Sequence, residues 1–136
     1  MRLSEAGDVL TLISAYDNRN FNEETSAAWY DLLHSYSLAE AKHAVKKHYA
    51  ESRDWLMPAD VLRIIKTERR ARLAKVETIA PSRADMTSTA AELETTKALS
   101  KAIASGELTP EAYEDYVRGN TPWATYRRGL RELRAA

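Results

Sequence analysis

The sequence predicts an all-α protein. It should have a small N-terminal bundle of about four helices with a long basic last helix, then a loosely packed helical C-terminal region. Only 4 of the 136 residues are glycine, and no segment alternates apolar and polar residues over the length of a strand. Apolar residues recur at helical spacing instead. No aromatic residue lies between Trp55 and Tyr113, which predicts two aromatic clusters separated by a poorly packed middle.

The first two helices are predicted from capping residues and apolar stripes. Ser4 is a suitable N-cap for the first helix. The apolar residues that follow it on one helical face are Ala6, Val9, Leu12, Ile13 and Tyr16. Residues 17–20 are polar and form a loop, and Asn22 caps the second helix. The stripe of the second helix consists of Thr25, Trp29, Leu32, Leu33 and Tyr36.

The third and fourth helices have more specific start signals. Ser37 and Glu40 form a capping box, and Pro58 suits the first position of a helix. The apolar stripe of the fourth helix consists of Val61, Leu62 and Ile65. The same face continues with Glu68, Arg69 and Arg72. Because arginines would not continue a core face, we expect the bundle to end near Ile65.

The remainder of the chain is predicted to be a separate region. Residues 81–89 have the composition of a linker, and residues 90–105 form an alanine-rich helix with few large apolar groups. Thr109-Pro110 and Thr121-Pro122 are two further helix starts. The predicted organisation is therefore a bundle over residues 1–80, ending in a protruding basic helix, and a mobile amphipathic region over residues 81–136.

Composition argues against several classes of function. The chain has 20 basic and 20 acidic residues and no cysteine, so disulfides and thiolate sites are excluded. No apolar run approaches the length of a membrane span, and no signal peptide is evident. We therefore expect a cytoplasmic protein without membrane contact.

Catalytic and metal-binding signals are also missing. The three histidines, His34, His43 and His48, include no pair at helical i, i+4 spacing. We interpret His48 as a hydrogen-bonded core residue and His43 as a surface residue. No glycine-rich loop or nucleophile elbow is present. The sequence therefore predicts neither an enzyme nor a cofactor, metal or small-molecule substrate.

A basic surface on the fourth helix is the first candidate site. Its residues are Arg63, Lys66, Arg69, Arg70, Arg72 and Lys75. Such a surface can follow a nucleic-acid backbone or face an acidic protein. It can equally be a solvated face whose charges stabilise the C-terminal half of the helix. The residues alone leave both interpretations open.

The last helix is the second candidate site. The residues predicted to bind a partner are Trp123, Tyr126, Arg127, Leu130, Arg131 and Leu133. They form an apolar stripe edged by arginines, a pattern typical of helix-in-groove recognition. The alternative is that the helix folds back onto the bundle. We favour partner binding because the preceding segment offers little to hold the helix in place.

The N-terminal half also resembles a known family. The residues that carry the resemblance are Ala28–Leu33, Tyr36–Ala41, Ala44-Val45, Lys47–Tyr49 and Met57–Val61. This pattern resembles the N-terminal domain of phage helicase loader/inhibitor proteins over about residues 9–65. It departs from the family where Met57-Pro58 stands in place of paired prolines.

The resemblance implies a helical bundle followed by a mobile region that orders on binding the hexameric replicative helicase. Such proteins hold the helicase inactive and deliver it to an origin-bound initiator in the host cytoplasm. The partners implied are the helicase and the initiator, with possible non-specific DNA contact. Two alternatives remain: a DNA-binding regulator using the Arg63–Lys75 helix, and a phage structural or assembly adaptor.

Overall fold

The structure is a computed structural model that describes residues 1–135. Ala136, the last residue of the predicted C-terminal region, lies outside the described residues. Helices and connecting segments make up the described chain, with no strand in it, so the predicted all-α class is confirmed. The helices are α1 (Leu3–Asp17), α2 (Glu23–Leu33), α3 (Leu38–Glu51), α4 (Pro58–Ala74), α5 (Thr89–Ser105), α6 (Pro110–Gly119) and α7 (Trp123–Ala135). A 3-10 turn spans Arg83–Asp85.

The chain divides into two compact units. The N-terminal unit comprises Met1–Glu68, and the C-terminal unit begins at Arg69. This division lies within the range of α4, earlier than the boundary after residue 80 that the sequence suggests. Leu73 and Val76, which follow the division, pack against a second buried cluster and so belong to the C-terminal unit.

The N-terminal unit has an apolar core drawn from α1 to α4. Its buried residues are Val9, Leu10, Ile13, Trp29, Leu33, Ala41, Ala44, Val45, Leu56, Val61 and Ile65. The predicted caps of α2 and α3 are present: Asn22 accepts the Thr25 N–H at 2.8 Å, and Ser37 Oγ accepts the Glu40 N–H at 3.2 Å. The first helix begins at Leu3, before Ser4, because Glu5 accepts the Arg2 N–H at 2.8 Å.

The C-terminal unit has a core of its own, in contrast to the loose packing expected. Its buried residues are Leu99, Ala102, Ile103, Leu108, Tyr116 and Trp123. The sequence analysis gave little weight to the small residues of α5. In the structure these residues form the surface on which aromatic rings from α6 and α7 pack. The rings bury a large apolar area, so this core needs few large aliphatic residues.

The segment expected to be a linker is tied to this core by its backbone. Tyr116 Oη accepts the Ser82 N–H at 3.0 Å, and Ser82 Oγ donates to the Thr121 carbonyl at 3.0 Å. Asn120 accepts the Ala84 N–H at 2.9 Å. Ser82 is buried as a result. The segment is thus held by two backbone N–H groups that donate to side chains of the α6–α7 region and by one hydroxyl that donates to a backbone carbonyl there.

Candidate protein-interaction surfaces

Metal-ligand groups and membrane-spanning helices are both missing from residues 1–135. Among residues 1–135, no three histidine, cysteine or acidic side chains are grouped to hold a metal ion. Within the same residues, no helix combines the length and apolar character needed to cross a membrane. His48 hydrogen-bonds the Asp54 carbonyl at 2.6 Å but is only half-buried, whereas His43 is exposed beside Glu68 at 3.6 Å.

The first turn of α7 is part of the core of the C-terminal unit. Trp123 is only 7% exposed, and its ring meets Tyr116 edge-on at 5.7 Å between centroids. The Asp85 carboxylate accepts the Trp123 N–H at 2.8 Å, which caps α7 from a distant part of the chain. Trp123, predicted as an anchor for a partner, is therefore enclosed within its own unit in this structure.

The outer face of α7 carries an exposed apolar groove. Its lining residues are Thr125, Tyr126, Gly129, Leu130, Glu132 and Leu133. Leu133 is 76% exposed, while Tyr126 and Leu130 are half-buried and pack on the core below. Of the predicted apolar anchors, three thus lie along one groove that remains open to solvent.

Three of the four arginines of α7 converge on one residue, Glu107. Arg127 donates to both oxygens of Glu107, at 2.8 and 3.2 Å, and Arg131 Nε lies 3.6 Å from Glu107 Oε1. Arg134 donates to the Glu107 backbone carbonyl. Hydrogen bonds from Arg127 lower the pKa of Glu107 against the opposing effect of burial. We call this arrangement the Glu107 clamp, and it fixes α7 to the α5–α6 loop.

The Glu107 clamp predicts how the stability of the C-terminal unit depends on pH. A lowered pKa in the folded state means that the ionised carboxylate stabilises the fold above the ordinary glutamate pKa of about 4.3. This contribution is lost as the pH falls through the lowered value. We expect Glu107→Gln to reduce the free energy of unfolding by about 1–2 kcal/mol at pH 7. The difference from wild type should narrow as the pH falls below the ordinary glutamate pKa and through the lowered value.

Urea unfolding of the C-terminal unit at several pH values measures this effect. Glu111→Gln, at an exposed position of α6, is the matched control and should leave the pH profile of wild type unchanged. A loss for Glu107→Gln that stays the same across the whole acid range would show that the carboxylate acts through packing and not through charge.

The predicted basic surface is divided between the two units. Arg63 pairs with Asp60 at 3.3 Å, and Lys66, also in the N-terminal unit, is exposed. In the C-terminal unit, Arg69 is half-buried, while Arg70 and Lys75 are exposed.

Arg72 has a structural role within the C-terminal unit. Its guanidinium donates to the Ala104 carbonyl at 3.0 Å, at the C-terminal end of α5. A cation at this position satisfies a terminal carbonyl and interacts favourably with the helix dipole. One of the six residues predicted for the basic surface is therefore directed into the fold of the C-terminal unit.

Asp85 and Glu107 are the residues that sequence reasoning missed. Each stands in a polar turn with no pattern to distinguish it from other surface acids. Their partners, Trp123 and Arg127, are 38 and 20 positions away along the chain. No local spacing rule relates residues at such separations, so only the packing of α7 reveals these contacts.

The described chain is a small all-helical protein with an apolar groove on its last helix. Residues 1–58 match the family model for the N-terminal domain of phage helicase loader/inhibitor proteins. The resemblance inferred from the sequence is thus confirmed over this segment. Proteins of this family are accessory proteins that are generally not catalytic. No match was found among curated proteins or among solved structures.

Proposed function

We propose that this chain is a phage DNA-replication accessory protein. It binds the hexameric replicative helicase, holds it inactive and delivers it to an origin-bound initiator. The observation that carries the proposal is the family match over residues 1–58. The exposed groove on α7 supports it, because a binding protein of this kind needs an apolar surface open to solvent.

The α7 groove is the surface we assign to the helicase. Leu133 and Leu130 would insert apolar side chains into the partner, and Tyr126 would form the floor between them. Arg127 and Arg131 do not line the groove and are held against Glu107. Trp123 would not contact the partner, and its role would be to hold α7 on the core of the C-terminal unit.

Co-elution with the replicative helicase in size-exclusion chromatography tests the proposal. The full-length chain should co-elute with the helicase in the presence of nucleotide. Leu133→Asp should weaken binding by at least about tenfold, since a charge would replace an interface anchor. Leu93→Asp is the matched control, because Leu93 is also exposed, at 56%, but lies on α5.

The possible outcomes distinguish an error in the proposed function from an error in the assignment of the α7 groove. Failure of the wild-type chain to co-elute would show that the proposed function is wrong. Co-elution of the Leu133→Asp variant at wild-type affinity would retain the function but exclude the α7 groove. A truncated chain ending at Ala80 should not bind, because it lacks α5 to α7 altogether.

Inhibition and delivery require a second assay. The chain should reduce helicase unwinding of a forked DNA substrate at concentrations that saturate binding. Addition of the initiator bound to origin DNA should then restore unwinding. An unwinding rate that does not respond to the bound chain would contradict the inhibitory role.

A further inference from the structure

The N-terminal unit carries an exposed patch of large side chains that the proposed function does not use. Tyr16, Trp55 and Met57 are 50%, 61% and 52% exposed. They come from the end of α1 and from the α3–α4 connection. Trp55 and Met57 contact the side chain of Arg19, and Tyr16 is linked to it through Tyr49. We call Tyr16, Arg19, Trp55 and Met57 the Arg19 patch. Trp, Tyr, Met and Arg are the residue types most enriched in protein interfaces.

A buried ion pair forms the base of the Arg19 patch. The side chains of Arg19 and Asp17 are only 9% and 6% exposed, with Nη2 and Oδ2 2.8 Å apart. Arg19 also donates to the Leu56 carbonyl at 2.6 Å. Burial opposes ionisation of Asp17, but hydrogen bonds from Tyr49 and Arg19 outweigh it and lower the pKa. The base is therefore charged and fixed at neutral pH.

Each exposed side chain of the patch rests on this base. The Arg19 guanidinium carbon lies 4.6 Å from the centre of the Trp55 ring, and Nη1 lies 3.8 Å from Met57 Sδ. Tyr16 stacks on Tyr49 at 5.2 Å, and Tyr49 in turn donates to Asp17. Side chains held in this way lose little entropy when a partner covers them, which favours binding.

An acidic groove adjoins the patch. Its walls contain the carboxylates of Glu51, Asp54, Asp60 and Glu68 and the cations Lys47 and Arg63. Asp54 directly precedes Trp55, and the Asp60 carboxylate accepts the Met57 N–H at 2.9 Å. The groove and the patch are therefore built on the same α3–α4 connection. Lys47 and Arg63 are paired with Glu68 and Asp60, at 3.0 and 3.3 Å. Glu51 and Asp54 leave the groove with a net negative charge, so it repels phosphate and attracts cations.

We propose that the Arg19 patch and its acidic groove form a docking surface for a cationic amphipathic helix of a partner protein. An apolar side chain of that helix covers Trp55 and Met57, and a neighbouring lysine or arginine enters the groove. Charge complementarity selects this occupant over nucleic acid. The surface lies in the N-terminal unit and is independent of the helicase surface assigned to α7.

The tryptophan side chains provide a direct test by NMR. Trp29 and Trp123 are 4% and 7% exposed, against 61% for Trp55, so the three indole N–H signals report different places. The full-length chain is titrated with a designed helical peptide of about 18 residues, with leucines on one face and lysines flanking them. The peptide should shift the Trp55 signal in a saturable manner and leave the Trp29 signal in place. A peptide with glutamate at every lysine position should bind at least about tenfold more weakly.

Variants test the contributions of the Arg19 patch and the acidic groove separately. Met57→Ala and the double variant Glu51→Lys/Asp54→Lys should each weaken binding of the lysine peptide several-fold. Leu32→Ala, at a 50% exposed position of α2, is the control and should bind as wild type does. An unchanged Trp29 signal confirms that each variant is folded.

Three results would overturn the proposal. These are an unmoved Trp55 signal at millimolar lysine peptide, equal shifts with the glutamate peptide, and a stronger response to a single-stranded oligonucleotide than to the lysine peptide. The last result would assign the patch to base stacking.

Discussion

Replacement of Arg19 by alanine should lower the free energy of unfolding of the N-terminal unit by about 3–5 kcal/mol. The substitution removes the partner of a buried carboxylate, and Asp17 then keeps the hydrogen bonds from the Tyr49 hydroxyl and the backbone N–H of residue 19. It also removes the hydrogen bond to the Leu56 carbonyl that holds the α3–α4 connection. Arg19→Lys should fall between alanine and wild type, because it keeps the charge but not the planar fork of donors.

Urea unfolding, followed by the NMR signals of α1 to α3, measures this change in the N-terminal unit alone. Arg2→Ala is the matched control, because Arg2 also pairs with a nearby acid, Glu5, but its side chain is 82% exposed. The control should unfold as wild type does. If Arg19→Ala and Arg2→Ala are equally mild, Asp17 must be well solvated, and the rigid base inferred for the Arg19 patch is wrong.

Tyr116→Ala should destabilise the C-terminal unit by about 3–5 kcal/mol. Tyr116 is fully buried, and its ring meets both Trp123 and Tyr126 at 5.7 Å. Its hydroxyl donates to Asp85 and accepts the Ser82 N–H at 3.0 Å. Removal of the side chain therefore opens a cavity and also releases the segment that caps α7.

Tyr116→Phe separates these two effects, since it keeps the ring and removes the hydroxyl. We expect a loss of about 1–3 kcal/mol from the unpaired partners. Val117→Ala, at the exposed neighbouring position, serves as the control. The Trp123 indole signal during urea unfolding reports all three variants. If phenylalanine proves as harmful as alanine, ring packing is not the main contribution of Tyr116.

The two units differ in how well the sequence predicted them. In the N-terminal unit, every core helix has an apolar stripe and two have clear caps at Asn22 and Ser37, so bundle and family were both recognisable. In the C-terminal unit, the apolar residues of α5 are few and small, and the sequence suggested a weakly packed spacer. The structure instead buries Leu99, Ala102 and Ile103 beneath the rings of α6 and α7.

The sequence predicted the residues of the α7 stripe but not which of them are buried. An amphipathic stripe such as Trp123, Tyr126, Leu130 and Leu133 has the same sequence pattern whether it faces a core or a partner. The structure places Trp123 in the core and leaves Leu133 at the surface. The end of the stripe that packs on the core containing α5 is buried, and the other end is exposed to solvent.

The sequence by itself determined the helices, the caps of α2 and α3 and the family resemblance of residues 1–58. Helical periodicity and capping act over a few residues, so they can be read along the chain. Only the tertiary structure decided the second core, the Glu107 clamp on α7 and the Arg19 patch. These depend on contacts such as those of Arg19 with Leu56 and of Asp85 with Trp123, 37 and 38 positions apart. Side chains at such separations meet only when whole helices pack, and no local pattern specifies that packing.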